Sequence, residues 1–384
     1  MIGRIPLSKP QLSTEGFKNV IRVLKSGHWT TGDEVRKFEN AVCEYIGKGL
    51  NAVALNSCTA GLFLTLKALK VKPGDEIILP SFTFVATSHV VEWLNAKPVL
   101  VDIDYNTFNI DVDKISLSIT KRTKGIIIVH YGGLPCDIAS ITKIAKKNNL
   151  FVIEDAAHAM GASYKGKRIG NYSDATVFSF YATKNLATGE GGMVVTRNKT
   201  LSDKIRRISY FGIDRKAFER HKKNNWYYEV TELGYKFNMD NIHAAIGLSQ
   251  LKILDKNNKE RRMLAKLYLK RLSKIDWLEL PVESEGSLSS WHLFPIKVNI
   301  DKLGLSRDYI INFLGKNKIE SGVHFIPLQI HPYYRKKYGY KKNDFPVSQK
   351  VFHRVISLPL FPKMRVDEVE LVCEKLKSLE SLKK

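Results

Sequence analysis

The sequence predicts an open α/β fold: a mainly parallel sheet flanked by helices, followed by a smaller α+β unit. Three observations carry that reading. Short apolar runs recur between helix-like stretches, at Ala52–Leu55, Glu76–Leu79, Pro98–Val101, Gly125–Val129, Leu150–Ile153, Ala175–Phe180 and Gly192–Thr196. Several are continuously apolar rather than alternating, the pattern of strands buried on both faces. The segments between them are mostly long enough for the crossover helices that parallel strands require.

The pattern changes after about residue 250, which predicts a large domain over 1–250 and a small C-terminal one over 251–384. Asn257–Ile275 reads as a long basic helix, with Leu264, Tyr268, Leu272 and Ile275 on one face. A Ser- and Glu-rich loop follows at Glu283–Ser290, then a strand at Leu293–Val298 and a helix at Ser306–Asn317. A polar aromatic stretch covers His331–Tyr340, and a final helix begins at Val366. No internal repeat or low-complexity linker interrupts the chain.

A chain of 384 residues allows about two or three domains, or one large domain with an appendage. Hydrophobic residues make up 44% and charged residues 26%, which excludes collagen, coiled coil and wholesale disorder. Lys and Arg number 61 against 38 Asp and Glu, a net charge of +23 that favours anionic partners. Cys43, Cys58, Cys136 and Cys373 form no CxxC pair. That argues against a metal site and a disulfide framework, and fits a reducing cytoplasm. No apolar run approaches the roughly 18 to 20 residues of a membrane span, and MIGRIPLSKPQLS lacks the apolar centre of a signal peptide. The expectation is a soluble cytoplasmic protein.

Three segments carry chemistry. In Glu154-Asp-Ala-Ala-His158 an apolar strand ends in two carboxylates and then a histidine. Ligands of open α/β sheets lie at carboxyl ends of strands, which places Asp155 and His158 there; strand-end capping also accounts for the pattern. In Ser179–Gly192 a strand end is followed by Lys184 and a glycine-rich turn. A lysine desolvated at a strand end has a lowered pKa and a nucleophilic amine. In Asn56-Ser-Cys-Thr-Ala-Gly61 a strand runs into a turn at the start of an amphipathic helix reaching about Lys70. Its first amides and hydroxyls can cradle a phosphate, or simply form an N-cap. Together the three supply a Schiff-base lysine, a carboxylate for a pyridine nitrogen and a phosphate cradle, the needs of pyridoxal 5′-phosphate (PLP).

With these residues in view, the chain resembles the DegT/StrS-type nucleotide-sugar aminotransferases, which are fold type I PLP enzymes. The resemblance runs through Trp29-Thr-Thr-Gly32, Gly74-Asp-Glu, Pro80-Ser-Phe-Thr-Phe-Val-Ala-Thr87, His130-Tyr-Gly-Gly, Glu154–His158, Thr188-Gly-Glu-Gly-Gly192 and Gly234-Tyr-Lys-Phe-Asn-Met-Asp240. It implies that Lys184 holds the cofactor and shuttles protons, and that Asp155 pairs with the pyridine nitrogen. Phe84 would stack on the ring and His158 would sit beside it near the phenolic oxygen. Thr59, Ala60 and Ser179 would bind the phosphate. Asn238 would reach it from a neighbouring subunit, implying a homodimer with shared active sites. His324, Thr30 and Thr31 would face the sugar. Bland alternatives stay open: Phe84 as a core aromatic, Ser179 as an inward strand hydroxyl, Asn238 as a turn residue and His324 as structural.

The chain departs from the pattern in two places. Tyr210-Phe211-Gly212 stands where several relatives have His-Gly, and His158 where many have Gln. Relatives with His in place of the lysine are dehydratases, so Lys184 points to transamination. The implied reaction moves an amino group from L-glutamate, releasing 2-oxoglutarate, to a keto group of a nucleotide-linked keto-deoxy sugar. Carbon 4 of a UDP-linked sugar is the expected target, for surface polysaccharide or glycan synthesis. Carbon 3 of a dTDP-linked sugar and a cyclitol substrate are the alternatives. A rival from another class, a basic nucleic-acid-binding regulator, rests on the charge and on the runs Lys204–Arg207, Arg215–Lys223 and Lys259–Arg262. Against it, the sequence has no helix-turn-helix or zinc-finger pattern and no RNA-binding aromatic layout.

Overall fold

The structure, a computed structural model, describes residues 3–214, 228–341 and 343–382. Each of the seven apolar runs lies in a strand of one sheet: β1 (Asn51–Leu55), β2 (Glu76–Pro80), β3 (Lys97–Val101), β4 (Thr123–Val129), β5 (Phe151–Asp155), β6 (Ala175–Ser179) and β7 (Gly192–Thr196). Their order is β1-β7-β6-β5-β4-β2-β3. All run parallel except β7, which is antiparallel to both neighbours.

Successive side chains of a strand point to opposite faces, so the continuous apolar runs feed two cores at once. Ile126, Ile128 and Val152 enter one; Ile127, Ile153 and Val177 enter the other. Fully burying each such side chain contributes about 2 kcal/mol. The first face is covered by α2 (Asp33–Ile46), and the second by α3 (Cys58–Ala68) and α4 (Ala86–Glu92). The next helices are α5 (Val112–Leu117) and α6 (Ile138–Lys147) on the first face and α7 (Lys199–Ile208) on the second. The expected amphipathic helix after Ser57 is instead apolar on nearly every side. Positions 60–66 of α3 are all buried, because the helix lies between the sheet, α4 and α7.

The expected basic helix begins earlier, at Asn241, and runs to Leu272 as α8. Asp240 caps it, accepting from the His243 amide at 2.9 Å. Its first half escaped the periodicity reading because it packs on both α2 and the N-terminal helix Thr14–Ser26. Ala244 and Leu254 belong to the first core, while Leu264, Tyr268 and Leu272 enter a third. Residue 250 therefore falls inside a continuous helix. The third core backs a small antiparallel sheet of β8 (Leu278–Glu279), β9 (Phe294–Val298) and β10 (Val355–Leu358). The helices expected near Ser306 and Val366 are present as Arg307–Lys316 and Val366–Ser378.

Two of the basic runs are largely engaged within the chain. Arg206 pairs with Glu39 and Arg207 with Glu232, Lys204 donates to Ala68 O, and Arg261 is buried. Arg215–Lys223 lies outside the described residues. Among the described residues no helix is long and apolar enough to cross a membrane.

Candidate active site

The chemistry-bearing residues collect at the carboxyl ends of β4, β5 and β6. Glu154 and Asp155 close β5 and, as neighbours in a strand, point to opposite faces. Glu154 is fully buried; its Oε2 lies 2.8 Å from His130 Nε2 and its Oε1 accepts from Thr176 Oγ1 at 2.8 Å. The Cys136 amide donates to His130 Nδ1 at 3.1 Å, so the ring proton sits on Nε2 and faces the carboxylate.

Asp155 faces the other way. Its Oδ2 accepts from Thr87 Oγ1 at 2.9 Å and its Oδ1 from the Ala157 amide at 3.2 Å. The Cys58 thiol lies 3.9 Å from Oδ1. Burial raises the pKa of this carboxyl, and Thr87, Ala157 and Lys184 offset part of that rise. Among the described residues it forms no close ion pair, so the group is polar, buried and short of a cation.

Lys184 sits in the loop between β6 and β7. The loop is closed by Phe180 N–H to Gly191 O at 2.9 Å and Thr188 N–H to Phe180 O at 2.8 Å. Burial lowers the amine pKa to about 8, against the opposing pull of Cys58 and Asp155. The free base is the nucleophile, and with that pKa about a quarter of it is present at pH 7.5, against about one part in a thousand for an ordinary lysine. The rate at which Lys184 is acylated in the cofactor-free protein is therefore expected to rise with pH and level off above about 8. A midpoint near 10.5, measured by mass spectrometry of the labelled peptide, would contradict this.

Ser57 caps α3, its Oγ accepting from the Ala60 amide at 3.0 Å. At this first turn the Ala60 amide, expected at a phosphate together with Thr59, is held by the Ser57 hydroxyl. Gly192 allows this turn to sit against β7: a Cβ there would lie 2.4 Å from Cys58 N and 2.5 Å from Ser57 O. Ser179, at the end of β6, accepts from the Tyr181 amide at 3.4 Å.

His158 is wedged behind the Lys184 loop. Its Nδ1 accepts from the Gly132 amide at 3.2 Å, and its ring lies 4.3 Å from His292 and 5.8 Å from Phe325. Gly132 and Gly133 both have positive φ, which lets the Tyr131–Gly133 turn aim that amide inward. Burial holds the His158 pKa well below the ordinary imidazole value, and Lys184 adds to the effect. His324 bonds Ser357 Oγ through Nδ1 at 2.9 Å, its pKa lowered to about 4 by burial and then by Lys184. Phe84 is no core aromatic: it is 58% exposed and meets Phe325 at 5.9 Å.

Asn238, Thr30 and Thr31 stand apart from this cluster. Asn238 donates to Thr31 Oγ1, accepts from Lys236 Nζ at 2.8 Å and bridges to Leu55 at the end of β1. Thr31 donates to Met239 O at 2.6 Å, and Thr30 is exposed. No hydrogen bond among the described residues joins these three to Asp155, His158 or Lys184. Sequence reasoning missed Thr87, Cys58, Asn185, His292 and Phe325. Thr87, Cys58 and Asn185 stood within segments it singled out and Phe325 beside His324, but His292 had no local signal.

The site can be tested against a ligand without assuming one. A buried carboxylate short of a cation suits a protonated ring nitrogen, and a partly deprotonated lysine suits an aldehyde. An exposed aromatic suits a ring face, and a helix N-terminus suits a phosphate. One cofactor presents all four, so the fold and the site define a PLP-dependent enzyme of fold type I. The profile of the DegT/DnrJ/EryC1/StrS aminotransferase family matches residues 10–377, and the chain belongs to that family of sugar aminotransferases. It is 44% identical over 377 residues to the spore coat polysaccharide biosynthesis protein SpsC of Bacillus subtilis, covering 98% of this chain and 97% of that protein. The PLP form of Spr1654 from Streptococcus pneumoniae superposes with a TM-score of 0.92 at 31% identity, covering 99% of this chain and all of that one. Helicobacter pylori PseC, an aminotransferase involved in the biosynthesis of pseudoaminic acid, superposes with a TM-score of 0.91 at 31% identity, covering 98% of this chain and 100% of that one.

Proposed function

We propose that the protein moves the amino group of L-glutamate to the C4 keto group of a nucleotide-linked keto-deoxy sugar, a UDP sugar by preference, in surface polysaccharide synthesis. The observation that carries the reading is the Lys184 amine, with its pKa lowered to about 8, set within the electrostatic reach of the buried Asp155 carboxylate. When bound, PLP supplies an aldehyde that takes up an amine and a ring that accepts the electron pair left by a lost α-proton.

The chain's own residues do the rest. Asp155, oriented by Thr87 and Ala157, favours a protonated ring nitrogen. Thr59 and Ala60 would hold the phosphate at the first turn of α3, joined by the Ser179 hydroxyl, and Phe84 would cover the ring. Lys184 takes the α-proton of glutamate and later returns a proton to the sugar carbon. His158, held neutral with its proton on Nε2, would offer that proton to the bound ring. His324, Thr30 and Thr31 contact the sugar. Asn238 serves the site of a second copy, so the working form is a homodimer in the cytoplasm. That Asn238 is bonded to Thr31 rather than to the Lys184 cluster supports a shared site. The motifs His130-Tyr-Gly-Gly and Glu154–His158 support C4, and SpsC's name supports a polysaccharide destination. The test is incubation with PLP, L-glutamate and UDP-, dTDP- or GDP-linked 4-keto sugars. An amino sugar at C4 is expected with the UDP substrate, and no amino sugar from any of them overturns the assignment.

A further inference from the structure

Lys184 and His158 reach the site from different stretches of chain, and one buried histidine contacts both His158 and the residue that follows Lys184. His292, just before β9, lies with Nδ1 3.0 Å from Asn185 Oδ1 and its ring 4.3 Å from that of His158. Asn185 directly follows Lys184. Backbone carbonyls, which can only accept, fix the orientation of every group in this chain of contacts. Asn258 on α8 donates its amide to Met160 O at 3.1 Å, which turns its own Oδ1 toward Asn185. Asn185 Nδ2 then donates to Asn258 Oδ1 and to Ser290 O, each at 2.8 Å. What Asn185 leaves facing His292 is an acceptor, so His292 Nδ1 carries the proton. The Gly132 amide at His158 Nδ1 puts that ring's proton on Nε2.

The segment bearing His292 is itself pinned. The Ser290 amide donates to Gly133 O at 3.1 Å and the Ser290 hydroxyl to His158 O at 2.7 Å. Arg261 Nη1 donates to the carbonyls of Trp291, His292 and Leu360. The charged or titratable groups facing His292 are His158, Lys184, Arg261 and His324, none of them acidic. Burial and these neighbours keep it neutral, a donor through one nitrogen.

We propose that His292 is a positioning residue: through Asn185 it sets the Lys184 loop, and by packing at a tilt of 37° against His158 it fixes that ring. The proposal rests on Lys184 being the reactive amine. A packing role alone would need a side chain of similar bulk, whereas positioning needs the Nδ1 donor, which the amide of asparagine can mimic.

Two measurements on the cofactor-free protein test it. Nitrogen-15 spectra of histidine-labelled wild type are expected to show the proton on Nδ1 of His292 and Nε2 of His158. A proton on Nε2 of His292 overturns the proposal whether or not any variant folds. In His292→Asn the pH midpoint of Lys184 acylation stays where it is in wild type. In His292→Leu the released loop admits water, the burial effect on the amine relaxes, and the midpoint rises by about one unit. The rate of the glutamate half-reaction in the PLP-loaded protein falls at least about tenfold in His292→Leu and is largely kept in His292→Asn. A folded His292→Leu protein with wild-type midpoint and rate overturns it too. Failure on every sugar would leave the cofactor-free readouts unchanged, so the two readings fail separately.

Discussion

Lys184→Ala is expected to lower transamination by at least about 10⁴-fold, the upper range for a positioned acid–base group, because the residue also supplies the covalent nucleophile. The purified wild-type protein given PLP should develop a visible absorption band, and the variant should not. Burial explains why no neighbour substitutes: among the described lysines, this amine is the one brought to a pKa of about 8 near Asp155. Fold should survive, since among the described residues the side chain makes no hydrogen bond that organises the loop, which is closed by main-chain bonds at Phe180 and Thr188. A Lys184→Ala protein that retains both the band and more than about a hundredth of the activity would end the reading of this site.

Asp155→Asn should give the second largest loss, about 10²- to 10³-fold, comparable to removing one preorganised electrostatic group. An amide has nearly the same shape but cannot hold a proton on the ring nitrogen. The variant should still bind PLP, because Lys184 and the α3 first turn are untouched. It should also be more stable than wild type when cofactor-free. Burial raises the Asp155 pKa, so the folded state binds its proton more tightly than the unfolded chain does. Stability from this group is then lost as pH rises, and at neutral pH the ionised carboxylate is a liability that asparagine lacks. The Thr87 hydroxyl, which can donate or accept, can serve the new amide. Thermal denaturation at pH 7.5 without cofactor checks this: a lower midpoint in Asp155→Asn would contradict it.

Much of the fold was legible in the sequence because the sheet is buried on both faces, which leaves continuous apolar runs at several of its seven strands. The strand ends were legible for the same reason: a carboxylate, a lysine and a small-residue turn are conspicuous where such runs stop. What was illegible depends on contacts between distant segments. Thr87 reads as one more threonine until its hydroxyl is seen against Asp155, and His292 as a strand-edge histidine until Asn185 and His158 surround it. The first half of α8 defeated periodicity, and α3 lacked the polar face expected of it, because helices covered on nearly every side have no such face to mark them.

The 32-residue helix α8 has a mechanical consequence. Some 48 Å long at 1.5 Å per residue, it is a girder shared by the Lys184 side of the cleft, through Asn258, and the His292 side, through Arg261. Gaping of the cleft would require bending that girder or tearing both anchors from it. The catalytic groups are therefore preassembled, and catalysis needs no clamshell closure to bring them together.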